Sequence, residues 1–185
     1  MQFSKEEYLI IFIAFVYGFV AQEFFQGWGK ILRRTKRTAI NELYWYHLLW
    51  TILAFGLMIT FWWDYWDRNA KIAQNIGYFL ITLIPPLLFY LITIIIFPSK
   101  LGKSTFQLKE YFMGQLPMLL WLIAALLTSD LIITIATDVM NIEDALFLVF
   151  SIILAILAAL YKRPYLHKLM LVVGFAILIA HFFVE

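Results

Sequence analysis

The chain contains no cysteine. That removes disulfides, thiolate nucleophiles, Cys-ligated zinc and Cys-ligated iron–sulfur clusters together. Charge is scarce as well: 14% of the 185 residues are Asp, Glu, Lys or Arg, where soluble domains carry about 25%. The net charge of +2 is too small to mark a nucleic-acid-binding surface, so no nucleic-acid partner is expected. Apolar residues fill the chain instead, at 64% with 19% aromatic. A soluble fold has nowhere to put that much apolar surface, and a disordered chain cannot leave it in water. The expected class is therefore an all-α polytopic integral membrane protein, with residues 1–185 forming one membrane domain.

A hydrocarbon core of about 30 Å takes about 20 apolar residues in a helix. Six stretches qualify: 8–25, 43–63, 76–97, 112–136, 145–161 and 169–184. Residues 1–7 carry Lys5 against Glu6 and Glu7, and no small-x-small cleavage site follows convincingly, so the first stretch reads as a retained span rather than a signal peptide. The last two spans are separated by a short connector and are expected to form a tight hairpin.

The basic residues set the orientation. Lys30, Arg33, Arg34, Lys36 and Arg37 fall in the first connector, Lys100, Lys103 and Lys109 in the third, and Lys162, Arg163 and Lys168 in the fifth. Eleven of the 14 basic residues thus lie on one side, and only Lys5, Arg68 and Lys71 on the other. Glu6, Glu7, Asp64, Asp67, Asp138, Glu143, Asp144 and Glu185 share that second side. Both termini are expected on the non-cytoplasmic side, in the cell (plasma or inner) membrane. The aromatics agree: Trp45 and Trp63 are 18 residues apart, or about 27 Å of helix, the spacing of the two interfacial belts.

No connector exceeds about 17 residues, too short for a soluble domain of ordinary size. In the longest, Gly27 and Gly29 are expected to break the helix, leaving a short basic helix on the inner surface. Its Lys30, Arg33, Arg34, Lys36 and Arg37 serve as a positive-inside anchor or as contacts for anionic lipid headgroups.

Polar groups inside a bilayer are costly and few, so each is a candidate. Asp130 and His181 reach similar depths in the outer leaflet and make a possible pair; alternatively the fourth helix ends near Ser129 and Asp130 is interfacial. Glu23 and His47 lie near the inner side of two consecutive spans and make a second possible pair, one able to relay protons because imidazole titrates near neutral pH. Alternatively they make structural hydrogen bonds. Pro85 and Pro86 sit in the middle of the third span, as a plain kink or as the broken helix of a transport site. Gln115, Thr51, Thr60, Thr82, Thr93, Thr128 and Ser151 read as packing groups. Gly56, Gly114 and Gly174 read as points of close helix approach.

There is no HExxH motif and no His pair at i, i+4, so no metal site is expected. A haem would pair His47 with His167, but His167 falls in the hydrated connector KRPYLHK, and no cofactor is expected. No span carries an arginine row or a central lysine. Three functions stay open. The first is a small channel or transporter for protons, small ions or a small amphipathic solute, working as a homo-oligomer. The second is a non-catalytic scaffold or accessory subunit of a larger membrane assembly, with a partner membrane protein. The third is an interfacial lipid-handling enzyme using Glu23, Glu42, His47 and His167.

Overall fold

The computed structural model describes residues 4–35, 44–99, 107–137, 142–161 and 163–184. Seven helices follow one another: α1 (Lys5–Thr35), α2 (Trp45–Ile72), α3 (Ile76–Thr82), α4 (Ile84–Ile96), α5 (Leu108–Ala136), α6 (Ile142–Tyr161) and α7 (Pro164–Val184). There is no strand among the described residues. In a hydrocarbon medium the helix is the form that lets a single segment satisfy its own backbone. Five segments are long and apolar enough to cross a membrane: Lys5–Arg33, Trp45–Trp66, Ile76–Ile96, Leu108–Ala136 and Pro164–His181. The sixth expected span, Ala145–Tyr161, is apolar but shorter. It belongs to the same bundle, since α6 packs on both α5 and α7.

Four of the helices start for a local reason that the sequence carries. Ser4 and Glu7 close a capping box on α1: Ser4 N–H donates to Glu7 Oε2 at 2.6 Å, and Glu7 N–H to Ser4 Oγ at 3.2 Å. Asn75 caps α3 by accepting from the Gly77 N–H at 2.7 Å. The break between α3 and α4 falls at Leu83, just before Pro85 and Pro86, which occupy the first turn of α4. Neither proline has an N–H to give the preceding turn, so the helix restarts there. Pro164 opens α7 in the same way.

Two expectations about helix ends are corrected. Gly27 and Gly29 do not break α1, which runs unbroken to Thr35. Gly27 is a packing position instead: a Cβ there would stand 2.4 Å from the Phe97 ring. Burial of that contact outweighs the roughly 1 kcal/mol that glycine costs a helix. KRPYLHK is not a hydrated connector either. Most of it is the first turn and a half of α7, and His167 is buried.

The helices close into a ring, α1–α2–α7–α6–α5–α4 and back to α1, with α2 also against α4. Aromatic contacts fasten the end that carries Lys30 and Arg33. Phe24 meets Phe55 and Phe97 edge-on at 5.4 and 6.0 Å, and the Trp28 indole donates to Thr51 Oγ1 at 3.0 Å. The hydroxyls of Thr51, Thr60, Thr82, Thr93, Thr128 and Ser151 each donate to a carbonyl three or four residues back in their own helix.

Gly56 and Gly174 lie at the contact between α2 and α7: added Cβ atoms would meet Leu178 Cδ2 at 2.5 Å and Leu53 Cδ2 at 2.6 Å. Gly114 has nothing within 4 Å and is not a close-approach site. At Gly174 the obstacle is the tip of a leucine that borders open space. Gly174→Ala should therefore shift stability by less than about 1 kcal/mol, because Leu53 turns aside and the helix gains about as much from losing a glycine. Thermal unfolding of the detergent-purified variant checks this.

Candidate functional site: an ionic cluster at one end of an apolar cavity

α2 and α5 are not among the closely packed pairs. They are tied at their ends. At one end Tyr44, Tyr46 and His47 pack against Phe112, with ring centroids 6.2, 6.1 and 5.1 Å away. At the other, Arg68 Nη1 donates to Asp130 Oδ1 at 2.9 Å, and Lys71 Nζ donates to the Thr137 carbonyl. Between these ties, and closed by α6 and α7, lies a cavity of about 340 Å³.

The side chains that reach it follow from helix periodicity. On α2 they are Trp50, Leu53, Leu57, Thr60, Phe61, Asp64 and Arg68, which recur at the three- and four-residue spacing of one helix face. Asp130 and Thr134 form such a pair on α5, and Gly174, Ile177 and His181 such a row on α7. Along α2, α5 and α7 the deep positions are apolar (Trp50, Leu53, Leu57, Ile123, Leu127, Met170). The later positions carry all four ionisable groups. Arg68 pairs with Asp130, and His181 Nε2 lies 3.3 Å from Asp64 Oδ1. These side chains are between 15% and 26% exposed, so the cluster is sheltered but reachable. Tyr17 on α1, itself buried, stands within electrostatic reach of Asp64, Arg68 and Asp130.

The sequence-derived candidates fare unequally. Asp130 is not at a helix end, because α5 continues to Ala136. Asp130 and His181 do line one cavity, but each has a different partner from the one expected. Hydropathy does not mark Asp64 and Arg68, because it ends the second span at residue 63, whereas α2 continues to Ile72. The signal was present, since 60, 64 and 68 extend the stripe begun by 53 and 57. The Glu23–His47 pair does not form. His47 Nε2–H donates to the Ile96 carbonyl at 2.8 Å, and Glu23 has no hydrogen bond or ion pair among the described residues.

His47 instead shares a structural role with three other side chains. The last carbonyls of a helix lack intrahelical donors. His47 and Tyr111 supply them to Ile96 and Ile95 at the end of α4, His167 supplies one to Ala158 near the end of α6, and Lys71 serves Thr137 beyond α5. Two of the three histidines are thereby committed to backbone, and only His181 faces the cavity.

Pro85 and Pro86 are buried and do not line the cavity. Lys30 and Arg33 lie exposed on the last turns of α1, where Arg33 Nε donates to the Gly29 carbonyl at 3.0 Å. Of Arg34 only the helical backbone is described, and Lys36 and Arg37 lie outside the described residues. A second recess of about 340 Å³, lined by Trp28, Ile31, Leu32, His47, Leu48 and Ile52, is apolar apart from two groups already bonded within the protein. It offers nothing to orient a polar ligand. Among the described residues no three His, Asp or Glu side chains gather as a metal site.

The ionic cavity combines a largely apolar interior with ionisable side chains at one end. That combination is the ordinary make-up of a small-molecule site. No family model, curated protein or solved structure matches the chain.

Proposed function

We propose that the chain is a small membrane transporter or channel, and that its path runs through the cavity between α2, α5, α6 and α7. In this reading all six apolar segments span the cell membrane, with both termini and the ionic cluster on the non-cytoplasmic side. Lys30 and Arg33 then meet the inner leaflet, where anionic headgroups attract them. The observation that carries the reading is the position of Asp64, Arg68, Asp130 and His181 at one end of an apolar-walled cavity. Ionisable groups inside a membrane bundle are costly to keep, and they commonly mark substrate or ion pathways.

The walls choose among the cargoes. A hydrated ion needs polar lining along its whole route. Here the lining hydroxyls of Thr60 and Ser151 already donate to their own helices. A small amphipathic solute fits the division into apolar floor and charged rim better than a hydrated ion does.

The test is solute uptake into vesicles holding the purified protein. Leu127→Trp fills the apolar floor without touching the ionic cluster. It should lower uptake at least about 10-fold, because a path blocked by a well-packed ring has no alternative in a bundle this dense. Uptake that is unchanged in a folded Leu127→Trp protein places the path elsewhere.

A further inference from the structure

α1 carries two stripes with one repeat. Ile13, Tyr17, Val20, Phe24, Gly27 and Ile31 are buried against the bundle, spaced alternately by four and three residues. The opposite face carries Phe15, Phe19, Gln22 and Gln26 at the same spacing, all exposed. The two phenylalanines suit lipid and the two glutamines do not. Neither glutamine makes a hydrogen bond among the described residues, and Glu23 beside them makes none either.

Depth makes this costly. After Lys5, the first basic residue of α1 is Lys30, which marks the headgroup level at that end. Gln22 lies eight residues before it, about 12 Å along the helix. Side chains on a helix lean toward its N-terminus, which here is toward the bilayer interior. The Gln22 amide therefore reaches away from the headgroups, and acyl chains offer it neither donor nor acceptor. A stripe that faced only lipid would leave that amide unsatisfied.

We propose that this face binds a second copy of the chain, as a parallel pair of α1 helices about a two-fold axis along the membrane normal. That axis keeps both copies in one orientation in the bilayer and sets each residue of the stripe against its own counterpart. A carboxamide both donates and accepts, so Gln22 of one copy satisfies Gln22 of the other, and Gln26 does the same. The seven-residue repeat keeps the seam continuous through a gentle left-handed supercoil. The flanks are complementary too: this repeat sets Phe25 of one copy beside Lys30 of the other, an aromatic face next to a cation, and both are exposed. Arg33, at the end of the stripe, is drawn back onto the Gly29 carbonyl. It lies past Lys30, where water and headgroups screen it from its counterpart. The inference rests on α1 spanning the bilayer and not on the cavity carrying a solute.

The chain has no cysteine, so single cysteines report the interface directly. Phe15→Cys is compared with Ile153→Cys, on an exposed position of α6 (51%), in vesicles with a large excess of lipid under mild oxidation. Phe15→Cys should form a disulfide-linked dimer in at least about 10-fold higher yield than Ile153→Cys. Adding Gln22→Leu and Gln26→Leu to Phe15→Cys should lower that yield about 10-fold, because interhelical amide bonds are worth about 1 kcal/mol each. The unfolding midpoint should not fall, since both positions lie outside the bundle. Light scattering of the cysteine-free chain in mild detergent should give the mass of two chains. Equal yields at 15 and 153 mean random collision and overturn the proposal. Cross-linking at 15 that survives both leucine changes overturns it as well, because the glutamines then do not hold the pair. Absence of cross-linking at 15 overturns it at either mass: two chains place the contact on another face, and one chain leaves the glutamines to a different partner. Dimers without vesicle flux support the inference and count against transport.

Discussion

Arg68→Leu should destabilise the protein by about 2–3 kcal/mol, and adding Asp130→Leu should return most of that loss. Removing one partner of a buried ion pair leaves the other charged without compensation, at about 3–5 kcal/mol when the pair is fully buried. Arg68 and Asp130 are 15% and 19% exposed. Partial hydration lowers the figure, because water screens what remains. Replacing both by leucine removes the stranded charge and adds apolar contact between α2 and α5, an exchange that is often neutral or favourable. Thermal unfolding of the two single variants and the double variant in one detergent measures the coupling. A double variant whose loss equals the sum of the singles would mean that the pair does not hold α2 to α5. The double variant should also lose solute uptake despite folding, because its leucines remove two of the four ionisable groups at the rim.

Gly27→Ala has the second largest expected effect, and it runs against helix propensity. In an isolated helix this change stabilises by about 0.5–1 kcal/mol. Here the new methyl would stand 2.4 Å from Phe97 Cδ2 and Cγ and 2.5 Å from Cδ1, inside the ring's van der Waals surface. The ring cannot easily retreat. Phe97 is buried between Phe24 and His47, whose centroids are 6.0 and 5.9 Å away. Overpacking of this kind costs about 1–3 kcal/mol, so the net change is destabilising. The sign should reverse in a Phe97→Leu background, where the smaller side chain frees the space and the propensity gain remains. Unfolding midpoints of the four proteins in this cycle give the answer. If Gly27→Ala destabilises the Phe97→Leu protein as much as it does the wild type, the clash lies elsewhere. The contrast with Gly174→Ala is physical: one glycine faces the root of an immobile ring, the other the tip of a leucine beside a cavity.

These cases also show what could be read from the sequence and what could not. The apolar segments were legible because a bilayer requires long runs, and such runs survive any tertiary rearrangement. Helix ends were less so. Hydropathy falls after Trp63, yet α2 continues for more than two further turns, because Asp64 and Arg68 find partners on α7 and α5. A charged residue that looks like connector in sequence becomes bundle lining once another helix supplies its counter-charge. Gly27 read as a helix breaker because its partner, Phe97, is remote in sequence. His47 falls on the expected helix, but its acceptor is the Ile96 backbone carbonyl, which no side-chain pattern marks. His167 was set in water by its charged neighbours, although Pro164 at the head of α7 was a helix-start signal available in the sequence.

Asp130 and Glu23 separate the central claim from its nearest alternatives, because both are carboxylates within apolar helices and only Asp130 lines the cavity. The most direct measurement is flux across proteoliposomes holding wild type, Asp130→Asn or Glu23→Gln, read with a proton-sensitive dye and with uptake of benzyltrimethylammonium, an amphipath that keeps its charge at every pH. If the path runs through the ionic cavity, wild type carries flux and Asp130→Asn loses at least about 10-fold, equivalent to about 1.4 kcal/mol. Glu23→Gln then stays within about twofold of wild type, or about 0.4 kcal/mol. Tight vesicles with all three folded proteins would contradict transport and favour an accessory subunit. Flux lost in Glu23→Gln and kept in Asp130→Asn would contradict the placement of the path.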